Sequence, residues 1–146
     1  MKILRSEIEI NASAERVWQV LADSDAYPLW NPFISRLTGT LKQGGRLEIR
    51  LTPPGGMAMT FRPVVLAVAP NREIRWIGRL VMPGLFDGEH HFEIEPLGPD
   101  RVRCIQEERF SGVLVPFLAA SLDRHTKAGF EAMNEALKIR AERSAA

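Results

Sequence analysis

Apolar and polar residues alternate with a period of two through most of this chain and change to a helical period only near its two ends. Leu4, Ser6, Ile8 and Ile10 alternate with charged residues up to Asn11, the pattern of a half-buried strand. Ser13 follows as a good N-cap, and Ala14, Val17, Trp18, Leu21 and Ala22 mark the apolar face of a helix that Asp23-Ser24-Asp25 ends. The next segment, Tyr27-Pro28-Leu29-Trp30-Asn31-Pro32-Phe33, is aromatic and twice interrupted by proline. It predicts a short helical turn or lid rather than a regular element.

From Ile34 to Phe110 the texture is strands and turns. Leu47, Ile49 and Leu51 alternate with charged residues between Gly44-Gly45 and Pro53-Pro54-Gly55-Gly56. Met57, Met59 and Phe61 continue the alternation until Arg62-Pro63 interrupts it; Val64, Leu66 and Val68 resume on the other parity, a phase slip that predicts a bulge. Ile74, Trp76, Gly78 and Leu80 form one further apolar row, and Phe86, His90, Phe92 and Ile94 another. After the turn Leu97-Gly98-Pro99-Asp100, the last strand sets Val102, Cys104, Gln106, Glu108 and Phe110 on one face. Beyond Ser111-Gly112 and Pro116, one long amphipathic segment runs from roughly Phe117 to Glu142.

The predicted order is strand, helix, aromatic turn, about six strands and a long helix. Short turns between consecutive strands predict antiparallel pairing, and helices confined to the two ends predict an α+β layer fold. No linker or repeat divides the chain, so residues 1–146 are expected to form a single domain, and 45% hydrophobic with 25% charged residues is a globular composition. Charge narrows the partners: 19 basic against 18 acidic residues give a net charge of +1 with no basic run, which does not indicate nucleic acid. The one cysteine, Cys104, has no partner for an intrachain disulfide. With no apolar leader and no run long enough to span a bilayer, the expected location is the cytoplasm.

Four stretches carry a family resemblance over essentially the whole chain: Ile10-Asn11-Ala12-Ser13-Ala14-Glu15-Arg16-Val17-Trp18, the Tyr27-Pro28-Leu29-Trp30-Asn31-Pro32 turn, Glu107-Glu108-Arg109-Phe110-Ser111-Gly112, and Gly129-Phe130-Glu131-Ala132-Met133-Asn134-Glu135-Ala136-Leu137. Together they resemble the polyketide cyclase/dehydrase branch of the START-like (SRPBCC, Bet v 1-like) superfamily. The resemblance implies a helix-grip fold, in which a curved antiparallel sheet wraps a long C-terminal helix around an apolar cavity for hydrophobic small molecules. It leaves the chemistry open, because that scaffold hosts carriers, cyclases, oxygenase domains and chaperone regulators.

The residues themselves offer three constellations. His90, Gln106 and Glu108 share a parity with Phe92, Val102, Cys104 and Phe110; facing a cavity, they would be polar groups in an apolar chamber, with His90 and Glu108 paired for proton transfer or for orienting a ligand. The competing reading gives Glu108 an ordinary partner or solvent near a strand end. His125 follows Leu118 and Leu122 and precedes Gly129 on the apolar stripe of the long helix, as a ligand contact or as a hydrogen-bonded boundary residue. Gly129 there implies close backbone packing or room kept for a ligand. Trp30, Phe33, Met57, Met59, Phe61, Trp76, Phe86, Phe92, Phe110 and Phe130 suit a pocket wall and equally a filled core. Trp30 with Phe33, and the connection Met82-Pro83-Gly84-Leu85-Phe86, are the expected gate.

No phosphate loop, nucleophile elbow or Cys-x-x-Cys pair is present, and no cofactor is expected. His90 and His91, adjacent on a strand, point to opposite faces; a metal site would have to combine His90, His125 and Glu108, and none is expected. Three functions remain: binding of a lipid-, polyketide- or aromatic-like molecule, which is the favoured one; cofactor-independent cyclase or dehydratase chemistry through His90 and Glu108; and a chaperone-activator-like interaction module. A homodimer through Val113-Leu114-Val115-Pro116 is compatible with the sequence.

Overall fold

The computed structural model describes residues 1–79 and 82–143; Leu80, expected on the Trp76 strand, lies outside them. The chain runs β1 (Lys2–Ile10), α1 (Ala14–Ala22), a 3-10 turn (Ser24–Ala26), α2 (Tyr27–Trp30), β2 (Ile34–Gly39), β3 (Leu47–Leu51), β4 (Met59–Phe61), β5 (Val64–Ala69), β6 (Glu73–Arg79), β7 (Asp87–Gly98), β8 (Arg101–Ser111), α3 (Val115–Ser121), a π turn (Leu122–Thr126) and α4 (Lys127–Glu142). All strand pairs are antiparallel, in a five-stranded sheet of order β1-β8-β7-β6-β5 and a three-stranded sheet β2-β3-β4.

Arg62-Pro63 is where the chain passes from one sheet to the other. Pro63 has no N–H to give a ladder, and its carbonyl instead accepts from Leu47 N at 2.9 Å, while Val65 N donates to Gly45 O at 2.8 Å. These bonds join the start of β3 to the start of β5. The bulge expected at Arg62-Pro63 lies inside β5, where the register slips between Val65 and Ala67. Val65, not Val64 or Leu66, is the buried residue of that strand.

The helix α1 starts as its sequence predicts, with Ser13 Oγ accepting from Arg16 N at 3.0 Å, a cap worth about 1 kcal/mol. Its core face is Val17, Val20 and Leu21, with Trp18 only half-buried. The Arg16 guanidinium donates to the carbonyls of Arg140 and Ala141, fastening α1 over the C-terminal end of α4. The C-terminal helix begins at Val115, two residues earlier than its apolar period suggests, with Pro116 in the first turn where a missing N–H costs nothing. Along α4, Phe130, Met133, Leu137 and Ala141 are buried against the sheet. That half of the helix fills the core. The half formed by α3 and the π turn buries only Val115 and Leu122, and beneath it the fold stays open.

Candidate ligand cavity

A cavity of about 570 Å³ lies between the α3–π-turn half of the helix and the concave faces of both sheets, a size suited to a small organic molecule. Its wall is largely apolar: Phe33 and Ile34 behind α2, Ile49 and Leu51 from β3, Phe61 from β4, Trp76 from β6, Phe86 before β7, Phe110 from β8, and Leu118 with Leu122 above. Two strand glycines make room. Gly78 on β6 and Gly88 on β7 are direct cross-strand partners on the cavity face, and a Cβ on Gly78 would meet only Pro63, at 3.8 Å. Glycine on a strand forgoes side-chain packing; here it leaves space for something else.

The polar groups follow the sheet register. His90 pairs with Glu108 across β7 and β8 and with Trp76 across β6 and β7, while Gln106 lies opposite Ser6 on β1. His90 Nδ1 is 2.8 Å from Glu108 Oε1, and His90 Nε2 is 3.2 Å from Gln106 Oε1. Gln106 Nε2 donates to Asn134 Oδ1 at 2.8 Å and to the Phe130 carbonyl at 3.3 Å, and Asn134 Nδ2 donates to Ser6 Oγ at 3.1 Å. The imidazole is 3% exposed, stacked on Trp76 (5.3 Å, 17°) and met edge-on by Phe130 (5.2 Å, 80°).

This chain of bonds fixes where hydrogens sit. The Phe130 carbonyl can only accept, so the Gln106 atom facing it is the amide nitrogen, and the amide oxygen faces His90. His90 Nε2 therefore carries a hydrogen. A hydrogen shared between His90 Nδ1 and Glu108 Oε1 completes the pair as imidazolium with carboxylate or as imidazole with carboxylic acid. The second carboxyl oxygen of Glu108 leans over Gly88, where an added Cβ would sit 3.0 Å from it. Among the described residues no hydrogen-bond donor reaches that oxygen, and the Glu108 side chain keeps 19% of its surface exposed.

The mouth opens between the β3–β4 connection and the helix, where Met57 is 82% exposed and Met59, Leu118 and Ser121 are also exposed. His125, on the π turn, holds the two sides together: Nδ1 donates to the Pro54 carbonyl at 3.2 Å, and the ring packs beneath Gly55 and Gly56. A Cβ on Gly56 would lie 3.2 Å from that of His125, so the loop approaches closely because it has none. Of the two segments expected to form the gate, Phe33 and Phe86 border the cavity and Trp30 does not. Phe33 is buried in the wall, and Trp30 packs edge-on against Tyr27 (5.3 Å, 75°) away from the cavity. Leu85, with Gly84, is hydrogen-bonded to the backbone of Val113 and Leu114, so the β6–β7 connection and the entry to α3 form one tied unit. Val115 within that entry is buried while Val113 is exposed.

Of the other expected lining residues, Met57, Met59, Phe61, Trp76, Phe86, His90, Glu108, Phe110, Leu118, Leu122 and His125 border the cavity. Phe92, Gln106 and Gly129 do not. Phe92 and Gln106 lie one row further along the sheet, where the buried part of α4 covers them. Gly129 touches the ring of Phe33 from behind and is there for close packing. Among the described residues, no three of His, Cys, Asp and Glu gather at metal-ligand spacing, so His90, His125 and Glu108 are not one site. Sequence reasoning missed Asn134, a polar residue on the stripe of Phe130, Met133 and Leu137, and the cavity-facing pair Gly78 and Gly88; each was visible as a misfit to its row. Cys104, on the same strand face as Gln106, is buried, and burial pushes its thiol up to about 12.

Comparison with known proteins agrees with this architecture. The family described as polyketide cyclase / dehydrase and lipid transport matches residues 1–142. No curated protein matches the chain. Among solved structures, a START superfamily protein from Mycobacterium smegmatis is 25% identical, with 97% of each chain covered and a TM-score of 0.70. The Zhui aromatase/cyclase from a Streptomyces species (18% identity, 97% of this chain and 94% of that one, TM-score 0.76) shares the fold. So does norcoclaurine synthase from Thalictrum flavum, solved with dopamine and hydroxybenzaldehyde (17% identity, 99% and 89%, TM-score 0.73). Among the described residues no helix is long and apolar enough to cross a membrane. A match over nearly its whole length and a helix laid over curved antiparallel sheets make this chain a member of the polyketide cyclase / dehydrase and lipid transport family, within the START-like superfamily.

Proposed function

We propose that this protein binds a largely apolar small molecule in the cavity beneath α3 and the π turn. The observation that carries the reading is an open chamber of about 570 Å³ whose wall is aromatic and aliphatic apart from a few polar side chains. A wall of this composition gains from burying an apolar ligand about 25 cal/mol for each Å² removed from water. The flexible Met57 and Met59 at the mouth suit ligands of differing outline. Family membership and the ligands named for norcoclaurine synthase support a small-molecule occupant.

The experiment is solvent extraction and mass spectrometry of the protein purified from its own host, beside a Gly78→Phe variant. Gly78 has room for a Cβ, so the phenyl ring would enter the cavity from β6 without displacing backbone. A small molecule released by the wild type and absent from an equally thermostable Gly78→Phe protein is the expected result. Equal release from both proteins would place the ligand elsewhere.

A second reading, proton transfer to or from the bound molecule, is favoured by one observation: the 2.8 Å pairing of His90 with Glu108 in the cavity wall. The pair places a hydrogen-bonded imidazole and carboxyl side by side in a largely apolar wall, an arrangement suited to a general acid or base. Conversion of the extracted ligand by the wild type, abolished in His90→Phe while binding persists, would establish an enzyme of the cyclase or dehydratase kind.

A further inference from the structure

We infer that the cavity selects an uncharged molecule whose polar end is a hydrogen-bond donor, an O–H or N–H, and discriminates against carboxylates and phosphates. The inference rests on the cavity reading above and adds to it the chemistry of the ligand's polar end.

Both ring nitrogens of His90 are engaged, Nε2 with Gln106 and Nδ1 with Glu108, so the imidazole offers nothing to a ligand. Glu108 Oε1 is engaged by His90. What remains is Glu108 Oε2, and it is an acceptor whichever partner holds the shared hydrogen: a carboxylate oxygen in one arrangement, the carbonyl oxygen of a carboxylic acid in the other. Gly88 leaves the space in which that oxygen stands, so a ligand can reach it. A ligand hydroxyl would complete it, whereas a ligand carbonyl or ether would set lone pair against lone pair.

Charge points the same way. With the hydrogen shared, the His90–Glu108 pair carries no net positive charge in either arrangement, and among the described residues no Lys or Arg borders the cavity. A carboxylate or phosphate carried in would lose its water with no fixed cation to replace it. The other polar side chains of the wall are on the helix: Ser121 is exposed, His125 donates to Pro54, and Thr126 carries a hydroxyl without charge.

Three probes with one apolar body separate the possibilities: hydroxypyrene, methoxypyrene and pyrenecarboxylate, titrated by their own fluorescence against the full chain at neutral pH. Hydroxypyrene is expected to bind about tenfold more tightly than methoxypyrene, the ordinary worth of one hydrogen bond to such a group, and pyrenecarboxylate more weakly than either. In Glu108→Leu the hydroxyl preference should vanish. In Glu108→Gln it should persist, because the amide can donate to His90 Nδ1 and turn its oxygen to the cavity. Methoxypyrene or pyrenecarboxylate binding as tightly as hydroxypyrene would overturn the donor rule while leaving the cavity reading intact. Failure of all three to bind would overturn both.

Discussion

Replacing Gly129 by alanine tests the packing that separates the filled half of the core from the open half. On helix propensity alone the change should stabilise α4 by about 1 kcal/mol. The structure reverses the sign. A Cβ at Gly129 would lie 2.9 Å from Cγ of Phe33 and nearer still to Cδ1 and Cε1. Phe33 is 2% exposed and packed edge-on against Phe130 at 5.7 Å, so the ring cannot yield without disturbing that contact or entering the cavity it lines. Overpacking of this kind costs about 1–3 kcal/mol, and disturbing the Phe33–Phe130 contact adds about 0.5–1.5 kcal/mol. Set against the helix gain, the expected net loss is about 2 kcal/mol, or roughly 4–8 °C in Tm for a chain of this size. Urea titration of the wild type, Gly129→Ala, Phe33→Ala and the double variant closes a thermodynamic cycle. With the ring removed, Gly129→Ala should turn favourable by about 1 kcal/mol. A Gly129→Ala protein as stable as the wild type, with no coupling to Phe33→Ala, would refute the reasoning.

Gln106→Leu should lower stability by about 2–3 kcal/mol, because it strands the His90 Nε2 hydrogen, the Asn134 carbonyl oxygen and part of the Phe130 carbonyl in a buried site; an unchanged urea midpoint would show that these groups are not mutually dependent. Alkaline stability should track Cys104, whose thiol burial raises from 9.0 to about 12. Since the folded value is the higher one, the stabilisation is complete below about 9 and is lost as pH rises toward 12, at up to about 1.4 kcal/mol per pH unit. Cys104→Ala should flatten that part of a urea midpoint against pH curve, and a curve equally steep in the variant would exclude the thiol as its source.

Strand alternation made most of the sheet legible, because one face of most strands lies on the core, as in β8 where Val102, Cys104, Gln106 and Phe110 are buried, although Ile105 on the other face is buried as well. The same alternation set His90 and Glu108 on the inner face, and direct cross-strand register brought them together. What the pattern could not carry were features fixed by three-dimensional neighbours. The shift at Val65 and Ala67 inside β5 has no proline or glycine at its site, whereas the visible interruption at Arg62-Pro63 marks a change of sheet. The π turn is equally silent: Leu122 to Thr126 contains ordinary helix residues, and an α-helical period already aligns Leu118, Leu122 and His125. The location of the mouth depended on where His125 meets the Pro54 carbonyl, a contact between residues 71 positions apart.

The boundary between core and chamber follows from where α4 supplies side chains large enough to reach the sheet. Phe130, Met133 and Leu137 meet the inner rows of β1 and β8, and Asn134 satisfies Gln106 in the one place where those rows are polar. One residue before Phe130, Gly129 offers only backbone, and Phe33 packs under it to form the end wall. Beyond that wall, the sheet presents Gly78 and Gly88 instead of bulk, and the helix presents His125 and Thr126 instead of another aromatic. A chain selected only for a filled core would place large apolar residues at Gly78 and Gly88, where strand propensity favours them. Their absence, beside a hydrogen-bonded His90–Glu108 pair, leaves the volume beneath α3 and the π turn unfilled at a cost in packing.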